Sequence, residues 1–385
     1  MNCMRHFSFL GQIPTHAMKF LSILILTLLS EPLFAQGMSN WWVRTGAFAS
    51  SAKFSLHRPA ENLRSLEYDL GSLPTRIASQ AESVANAPNR VTLALIEKGK
   101  VVFNKRSNGV SDSNLVVSYS MAKSLTAMMV GYAMCDGYIK DLDDKVEQYV
   151  PELEGTAYGQ SSIKNILNMA SGANASGAHG EPYQGLTADL RDQKTSYLEN
   201  LLKYKDPQTR LFQKVKPGDA FDYKNLDTAT LMLVIEKATK QPFNEWYEQS
   251  LVKGAGLERT SAWTLEKDNR AVAHGLFFAT PDDWIRLAIH SLDAYAGRSG
   301  PCLQGFMQQA VKDTVRIYNN REYASYGYQF WTGATGMNDE VFWMRGYGGQ
   351  HIGVDPVTER IVVAASTDSD SAVFNLFRDW IKSSP

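Results

Sequence analysis

Cysteine is scarce in this chain of 385 residues, which contains only Cys3, Cys135 and Cys302. So low a count excludes a small disulfide-rich scaffold, because such a scaffold needs several cross-links. Cys3 precedes the apolar segment near the N-terminus, and Cys135 lies in a predicted apolar helix, where a buried thiol is the simplest interpretation. The sequence leaves open whether Cys135 and Cys302 pair.

A surplus of charge of one sign is also missing, since 39 Lys and Arg residues oppose 40 Asp and Glu residues. The balance argues against a nucleic-acid partner, because proteins that bind nucleic acids usually present a basic face. There is no internal repeat and no low-complexity tract. A chain of this length exceeds what one compact core usually holds, so two lobes are expected.

No apolar run is long enough to predict a membrane span with assurance. The longest, Phe20 to Leu29, follows Met18 and Lys19 and is followed by the small residue Ala35. This pattern predicts a secretory signal peptide over residues 1–35 with the start at Met18, and hence a periplasmic or secreted protein. Its removal changes the formal net charge from −1 to −2. An uncleaved anchor is the alternative.

Two catalytic signatures are absent as well. No Gly-x-Ser-x-Gly elbow occurs, which argues against an α/β-hydrolase. The histidines after residue 35 show no paired ligand spacing, which argues against a zinc hydrolase; they are His57, His179, His274, His290 and His351.

The most informative feature present is Ser120-Met-Ala-Lys123 at the head of an apolar helical stretch. Residues three apart share a helix face, so the Lys123 amine is expected beside the Ser120 hydroxyl. A lysine serves as the base for a serine nucleophile when its pKa is pulled down to roughly 7–8. The same spacing recurs at Ser50 to Lys53, Ser161 to Lys164 and Ser250 to Lys253. The Ser-x-x-Lys spacing alone therefore does not identify a catalytic serine. The apolar helix that follows Ser120 distinguishes this copy.

The order of predicted elements places strands on both sides of a helical segment. Residues 36 to about 75 are predicted as coil over the body, and a β-hairpin is predicted at 91–96 and 101–104. The predicted helices cover 120–136, 143–150, 162–170, 190–204, 225–239 and 243–252, with two more starting at Pro281 and Ser369. The later predicted strands cover 258–264, 273–280, 324–332, 340–347, 350–355 and 360–366.

One antiparallel sheet split by a helical insertion accounts for this order. The first hairpin must pair with the C-terminal strands to complete the sheet. The predicted domains are a sheet domain of 36–118 together with 258–385, and a helical domain of 119–257. The active site is expected between them.

A second candidate is Tyr223-Lys-Asn225, in a loop before an apolar helix. A phenol near a lysine can relay a proton to a leaving group, and Asn225 would orient the neighbouring groups. The alternative is a loop tyrosine with Asn225 as a helix N-cap. The Tyr-x-Asn pattern also occurs at Tyr318 to Asn320, where no site is expected.

A third candidate is the glycine-rich segment around Tyr347, Gly348, Gly349 and Gln350. Glycines inside a strand pattern indicate close approach of the backbone to another group, such as a substrate along the strand edge. Backbone N–H groups there would stabilise an oxyanion. A β-bulge or strand crossing is the structural alternative.

Taken in order, these motifs resemble the serine β-lactamase and D,D-peptidase superfamily, and within it the class C-related branch of esterases, D-aminopeptidases and 6-aminohexanoate-dimer hydrolases. The resemblance runs from about Val91 to the C-terminus. Further segments support it, namely Asp141 to Asp144, Tyr149 to Leu153, Ile166 to Gly172, His274 to Leu276 and Tyr326 to Tyr328.

The resemblance implies an α/β (α+β), β-lactamase/transpeptidase-like fold and a serine hydrolase that cleaves small ester or amide bonds without a metal or other cofactor. It implies that Ser120 is acylated, that Lys123 accepts its proton, and that Tyr223 exchanges protons with the leaving group and water. The backbone N–H groups of Ser120 and Gln350 would form the oxyanion hole.

The sequence is also compatible with two other functions. Tyr347, Gly348 and Gly349 replace the Lys-Thr-Gly of penicillin-recognising relatives, so β-lactamase or D,D-peptidase activity is the alternative function and not the first choice. A non-catalytic envelope binding protein is the alternative from another class.

The loop from Gly172 to Lys194 and the early Trp-rich coil are expected to shape the pocket, with Tyr183 and Tyr197 as candidates to assist an amide leaving group.

Overall fold

The computed structural model describes residues 52–174 and 186–383. Outside the described residues lie the predicted signal peptide (1–35), the first part of the predicted coil, Ser50, and most of the segment that carries Tyr183. Within the described part, no helix combines the length and the hydropathy needed to span a bilayer.

Helices surround the sheets in the described residues. The α-helices are α1 (Thr75–Ala85), α2 (Met121–Cys135), α3 (Ala157–Gln160), α4 (Ile163–Leu167), α5 (Leu186–Arg191), α6 (Tyr197–Lys203), α7 (Asn225–Thr239), α8 (Phe243–Tyr247), α9 (Lys253–Ala255), α10 (Pro281–Tyr295), α11 (Pro301–Lys312) and α12 (Ala372–Ile381). Short 3₁₀ turns at Val146–Gln148 and Pro151–Leu153 and a π-turn at Glu248–Val252 join them.

The larger sheet of the described residues has nine strands. In their side-by-side order they are β10 (Val315–Arg316), β11 (Tyr323–Gly327), β12 (Phe330–Ala334), β13 (Phe342–Gly346), β14 (Gln350–Asp355), β15 (Arg360–Ser366), β3 (Arg90–Glu97), β4 (Lys100–Arg106) and β2 (Glu67–Tyr68). Neighbouring strands pair antiparallel except for the short parallel pair of β2 and β4.

Pairing of β3 with β15 closes this sheet between distant parts of the chain. Ile96 faces Ile361, and Leu95 faces Val362 in the register. Both strands are buried along nearly their whole length, which their runs of branched apolar residues favour. The prediction that the first hairpin pairs with the C-terminal strands is therefore confirmed, as is the fold class.

One face of the larger sheet is covered by α1 and α12. Ile77 of α1 and Trp380 of α12 join Trp343 of β13 in the same buried apolar cluster. The ring of Phe377 stands edge-on to Trp343 with 5.2 Å between the ring centroids. Full burial of each of these large side chains contributes roughly 1.5–3 kcal/mol, so this cluster is a main source of the sheet's stability.

A second sheet of the described residues corrects the prediction of a single sheet. It contains β1 (Lys53–His57), β8 (Ser261–Leu265), β9 (Phe277–Ala279) and β5 (Val116–Val117). The segments predicted over 258–264 and 273–280 thus form part of this smaller sheet. The prediction of coil up to residue 75 is wrong for β1, which pairs along its length with β8, and for β2, which pairs with β4.

Two further local predictions are corrected. The predicted strand over 324–332 is two strands, β11 and β12, because Tyr328 and Gln329 form a tight turn with φ of 46° and 67°. The predicted helix over 143–150 is only the 3₁₀ turn at Val146–Gln148, and α1, α3 and α11 have no predicted counterpart.

A disulfide joins Cys135, the last residue of α2, to Cys302 in the first turn of α11. The two Cα atoms lie 5.7 Å apart, and 167 positions separate the cysteines in sequence. The bond fixes the end of α2 that lies farthest from Ser120. This answers the question that the sequence left open.

The described residues, 52–174 and 186–383, group into one compact unit. Within it, α2 packs against α7, and α2 also contacts β13 and β14. Since these elements carry all three predicted motifs or adjoin them, the packing brings the motifs toward one place. The division into a sheet domain and a helical domain stays a prediction.

Candidate active site

Ser120 lies at a sharp entrance to α2. Tyr119, the residue before it, has a φ of 40°, a left-handed conformation that is strained for a tyrosine. Ser120 occupies the N-cap position, but its side chain accepts no hydrogen bond from the first turn of the helix. Hydrogen bonds between Ser118 and Phe277 of β9 hold the turn. The Ser120 hydroxyl is thus free of the usual capping role.

The amine of Lys123 is buried directly beside this hydroxyl. Lys123 Nζ donates to Ser120 Oγ over 3.1 Å, to Asn225 Oδ1 over 2.7 Å and to the His274 carbonyl over 2.9 Å. No carboxylate of the described residues forms an ion pair with it. Burial lowers the pKa of Lys123 well below its usual range. The arrangement therefore favours a neutral amine that can accept the serine proton.

The other Ser-x-x-Lys copies lack this contact where the structure describes them. Ser161 Oγ bonds a backbone carbonyl, while Lys164 pairs with Asp313 at 3.3 Å. Ser250 Oγ also bonds a carbonyl, that of Trp246, at 2.6 Å. The hydroxyl of the Ser120 copy alone, among those described, receives a hydrogen bond from its own lysine.

Tyr223 completes a triangle with Ser120 and Lys123. The Ser120 hydroxyl lies close enough to the Tyr223 phenol to act on its pKa, and Lys123 Nζ lies 4.8 Å from the centre of the Tyr223 ring. Burial raises the pKa of the Tyr223 phenol, against smaller lowering effects of Ser120 and Arg345. The phenol therefore stays protonated near neutral pH and is suited to give up a proton during a reaction.

Aromatic side chains hold the Tyr223 ring in place. Its centroid lies 5.6 Å from that of Trp331, 6.0 Å from Tyr326 and 6.4 Å from Phe221. Contacts of this kind contribute about 0.5–1.5 kcal/mol per pair beyond the area they bury. The packing restricts the ring orientation and so the position of the hydroxyl.

Buried charges support the backbone around Tyr223. Lys224 Nζ lies 3.3 Å from a carboxylate oxygen of Asp222 and also donates to the Asp222 carbonyl over 3.0 Å. Asp227 accepts hydrogen bonds from the hydroxyl and the backbone N–H of Ser171. The Asp222 N–H donates to the Met169 carbonyl over 2.8 Å. The Tyr223 loop is thereby fixed to residues 169–171.

Asn225 is the first residue of α7, and Lys224 occupies the N-cap position. The interpretation of Asn225 as an N-cap is therefore wrong. Its Oδ1 accepts from Lys123, and its Nδ2 donates to Thr187 Oγ1 over 3.3 Å. These two bonds fix the amide orientation and aim its oxygen at the amine.

The glycine-rich segment lies against the turn that precedes Ser120. Gly346 pairs with Gln350 across the β13–β14 hairpin, and a Cβ at position 346 would collide with the Ser118 carbonyl. Tyr347 is 79% exposed, and its ring stands edge-on to Tyr119 at 5.6 Å. The close approach predicted for the glycine-rich segment is thus found at Gly346.

The remaining residues of this motif form the turn and its support. Gly348 and Gly349 have φ of 72° and 83°, a region that favours glycine. The side chain of Gln350 is buried and donates to the Ser366 carbonyl over 2.7 Å. Because that side chain faces β15, the described contacts bring Tyr347, rather than the Gln350 side chain, next to the Ser120 turn. The predicted role of the Gln350 N–H stays a prediction.

Sequence reasoning missed some groups around the amine. The His274 carbonyl is the third acceptor of Lys123, and Thr187 orients Asn225. Burial and the nearby Lys123 lower the pKa of the His274 imidazole well below its usual range. The His274-Gly275 pair was the one available signal, and Gly275 lies in van der Waals contact with the backbone of Tyr119. Tyr197 is fully buried against the His274 ring.

Within the described residues, no group of three or more His, Cys, Asp and Glu side chains is arranged to hold a metal ion. The side chains of Ser120, Lys123 and Tyr223 bring a hydroxyl, an amine and a phenol together at the candidate site.

Comparison with known proteins gives a family match over residues 82–381, to the family described as Beta-lactamase. A Providencia stuartii β-lactamase is 25% identical over 194 residues, which cover 49% of this chain and 45% of that protein. The 6-aminohexanoate-dimer hydrolase of Paenarthrobacter ureafaciens is 24% identical over 346 residues, 86% of each chain. The solved structure of a candidate 6-aminohexanoate-dimer hydrolase from Bacillus anthracis superposes with a TM-score of 0.68 at 15% identity, covering 86% of this chain and 90% of that one.

Proposed function

The chain belongs to the beta-lactamase family, and we propose that it is a serine hydrolase that cleaves small esters or amides through an acyl-enzyme on Ser120. The observation that carries the proposal is the 3.1 Å hydrogen bond between Ser120 Oγ and the amine of Lys123. This amine is buried, and no carboxylate of the described residues forms an ion pair with it. A relative aligned over 86% of its length acts on an amide, the 6-aminohexanoate dimer. That relative supports an amide or ester as the bond cleaved.

In the first step, Lys123 accepts the proton of Ser120 while Oγ attacks the carbonyl carbon of the substrate. A neutral amine is needed, and the burial of Lys123 away from carboxylates favours one. Asn225 and the His274 carbonyl hold Nζ in line with Oγ. The proximity of the Tyr223 phenol to Ser120 supports its role as the group that protonates the leaving group.

In the tetrahedral intermediate, the former carbonyl oxygen of the substrate carries a negative charge. Two hydrogen-bond donors are needed to stabilise this oxyanion. The Ser120 N–H at the head of α2 is one donor, and the helix N-terminus adds a favourable dipole. We place the second donor in the segment from Tyr347 to Gln350, because the Tyr347 ring contacts Tyr119 in the turn that precedes Ser120. Loss of one such donor typically costs about 3–4 kcal/mol of transition-state stabilisation.

Collapse of the tetrahedral intermediate requires a proton for the leaving group. Tyr223 donates its phenolic proton to the departing oxygen or nitrogen and recovers one from Lys123, which restores the neutral amine. Water then attacks the carbonyl carbon of the acyl-enzyme and gives a proton to Tyr223 and Lys123, which pass it to Ser120 Oγ as the acyl group leaves. The products are the carboxylic acid and the alcohol or amine, and Ser120 regains its proton.

A second proposal concerns localisation. The Cys135–Cys302 disulfide supports export, because such bonds persist in oxidising compartments. We therefore propose that the mature chain is periplasmic or secreted. Mass analysis of the N-terminus of the exported protein tests this, and a chain recovered with Met1 or Met18 from the cytoplasm would contradict it.

The activity is tested with a substrate panel at matched enzyme concentration. The panel contains p-nitrophenyl esters of increasing acyl length, the chromogenic cephalosporin nitrocefin and the linear 6-aminohexanoate dimer. Ser120→Ala is compared with Ser161→Ala, a matched control that removes the serine of another Ser-x-x-Lys copy. Circular dichroism shows that each variant is folded.

Turnover of esters or the amide that disappears in Ser120→Ala and persists in Ser161→Ala is the expected result. Rapid nitrocefin hydrolysis with little ester turnover would replace the proposal with β-lactamase activity. No turnover of any member of the panel by the wild type would favour a non-catalytic binding protein.

A further inference from the structure

The hairpin formed by β6 (Thr209–Arg210) and β7 (Gln213–Lys214) exposes two large apolar side chains at its tip. Leu211 is 93% exposed, and Phe212 is fully exposed. Single exposed apolar residues are normal on a protein surface, but two adjacent ones at the end of a projecting hairpin are not.

The backbone of this tip is also unusual. Leu211 has a φ of 47° and Phe212 a φ of 67°, both in the left-handed region. A two-residue hairpin loop of this type favours Asn-Gly, because bulky side chains are strained there. The chain carries leucine and phenylalanine at positions where stability alone would select other residues. Such a strained placement of apolar side chains suggests a function at the tip.

The base of the hairpin is fixed to the body of the protein. The Gln208 N–H donates to the Gly172 carbonyl over 2.7 Å, and the Val215 N–H donates to the Gln208 carbonyl over 2.7 Å. An isolated bridge pairs Ala173 with Pro207. These bonds fix the base of the hairpin, while Leu211 and Phe212 at its tip are exposed to solvent.

The chain segment that carries the tip is rich in positive charge. Segment 203–216 contains four lysines and one arginine against one aspartate. The four lysines are exposed, and none forms an ion pair with a carboxylate of the described residues; they are Lys203, Lys205, Lys214 and Lys216. Cations flanking exposed leucine and phenylalanine are the combination that binds the interface of an anionic bilayer.

We propose that this hairpin attaches the protein to anionic phospholipid membranes, with Leu211 and Phe212 inserted among the lipid headgroups and the lysines on the surface charge. The charge distinguishes this occupant from a second copy of the chain, since two copies would bring two sets of like charges together. The attachment is peripheral and reversible, because only two side chains enter the bilayer.

Vesicle co-sedimentation of the mature chain tests the proposal. Vesicles of phosphatidylcholine alone are compared with vesicles of phosphatidylcholine and phosphatidylglycerol in equal parts, at low and high salt. The variants are the double change Leu211→Ser with Phe212→Ser, the double change Lys214→Glu with Lys216→Glu, and the control Val357→Ser. Val357 is an exposed apolar residue at another hairpin turn.

We expect binding to the anionic vesicles that weakens in high salt and falls by at least about tenfold in either double variant. Val357→Ser should bind as the wild type does. Retained ester turnover in the double variants shows that the fold is intact, and turnover is measured independently of lipid, so this proposal and the proposed activity can fail separately.

Three results would overturn the proposal. They are the absence of binding to either kind of vesicle, equal binding to neutral and anionic vesicles, and unchanged binding of the Leu211/Phe212 variant. If analytical ultracentrifugation finds a dimer that this variant dissociates, the tip is a contact between copies of the chain instead.

Discussion

Lys123 Nζ donates a 2.7 Å hydrogen bond to Asn225 Oδ1, although 102 positions separate the two residues. The contact ties the head of α2 to the head of α7 and gives the buried amine a neutral acceptor. A carboxylate at the same place would hold the amine in its charged form much more strongly. The neutrality of residue 225 is thus a condition for Lys123 to act as a base.

The substitution Asn225→Asp tests that condition. The new carboxylate raises the pKa of Lys123, so the amine becomes neutral only at higher pH. The acidic limb of the pH profile of kcat/KM should therefore move upward by about one to three pH units. Asn225→Ala removes the hydrogen bond without adding charge and should lower kcat with a much smaller displacement of the limb. An unmoved limb in Asn225→Asp would show that Lys123 is not the base.

The role of Tyr223 as the acid predicts a dependence on the leaving group. Tyr223→Phe keeps the ring and its packing but removes the proton, so kcat should fall by about 10²–10⁴ for alkyl esters and amides. p-Nitrophenyl esters should be affected less, because p-nitrophenolate leaves without a proton. Tyr318→Phe is the matched control, since Tyr318 belongs to the other Tyr-x-Asn copy and is exposed. A change in KM alone would contradict the acid–base role.

The disulfide predicts a large effect on stability and a small one on catalysis. Replacing both Cys135 and Cys302 by alanine should lower the free energy of unfolding by about 2–4 kcal/mol, because the bond closes a long loop. Reduction of the wild type should lower its Tm to about that of the double variant. The Tm of the double variant itself should not change on reduction. Turnover well below Tm should be close to that of the wild type. Two titratable thiols in the denatured, unreduced wild type would refute the bond.

Asp227 predicts a pH dependence of stability. Burial raises its pKa from 3.8 to about 6 in the folded protein. Because the folded state then binds the proton more tightly than the unfolded state, the contribution is most favourable below about pH 4 and is lost as the pH rises to about 6. The loss amounts to as much as about 3 kcal/mol.

Denaturant unfolding at pH 4 and at pH 7 measures this effect. The stability of the wild type relative to Asp227→Asn should fall across that interval, since asparagine cannot ionise. Asp339→Asn, which makes the same change on an exposed side chain, is the control for the substitution itself. A constant difference between the wild type and Asp227→Asn would mean that Asp227 does not titrate in this range.

Local patterns in the sequence were enough for some of the site. Ser120 and Lys123 are one helical turn apart, so their contact follows from α-helix geometry alone. The hydrogen bond between Lys123 and Asn225 depends on the packing of α2 against α7, which no spacing in the sequence specifies. The Cys135–Cys302 pair was unreadable for the same reason, because it depends on where α11 packs.

The errors in the fold have similar causes. The turn at Tyr328 and Gln329 contains no Asn-Gly or Asp-Gly signal, so the two strands around it were predicted as one. Strand β1 is short and half-buried, and only its pairing with β8 makes it a strand. In both places tertiary contacts override a weak local preference.

Acylation of Ser120 is tested most directly by the mass of the intact protein after brief exposure to a p-nitrophenyl ester, followed by mapping of the modified peptide. We predict an added acyl group on Ser120 that is absent in Ser120→Ala and slower to leave in Tyr223→Phe. An acyl group on another residue, or one that forms equally in Ser120→Ala, would contradict this prediction.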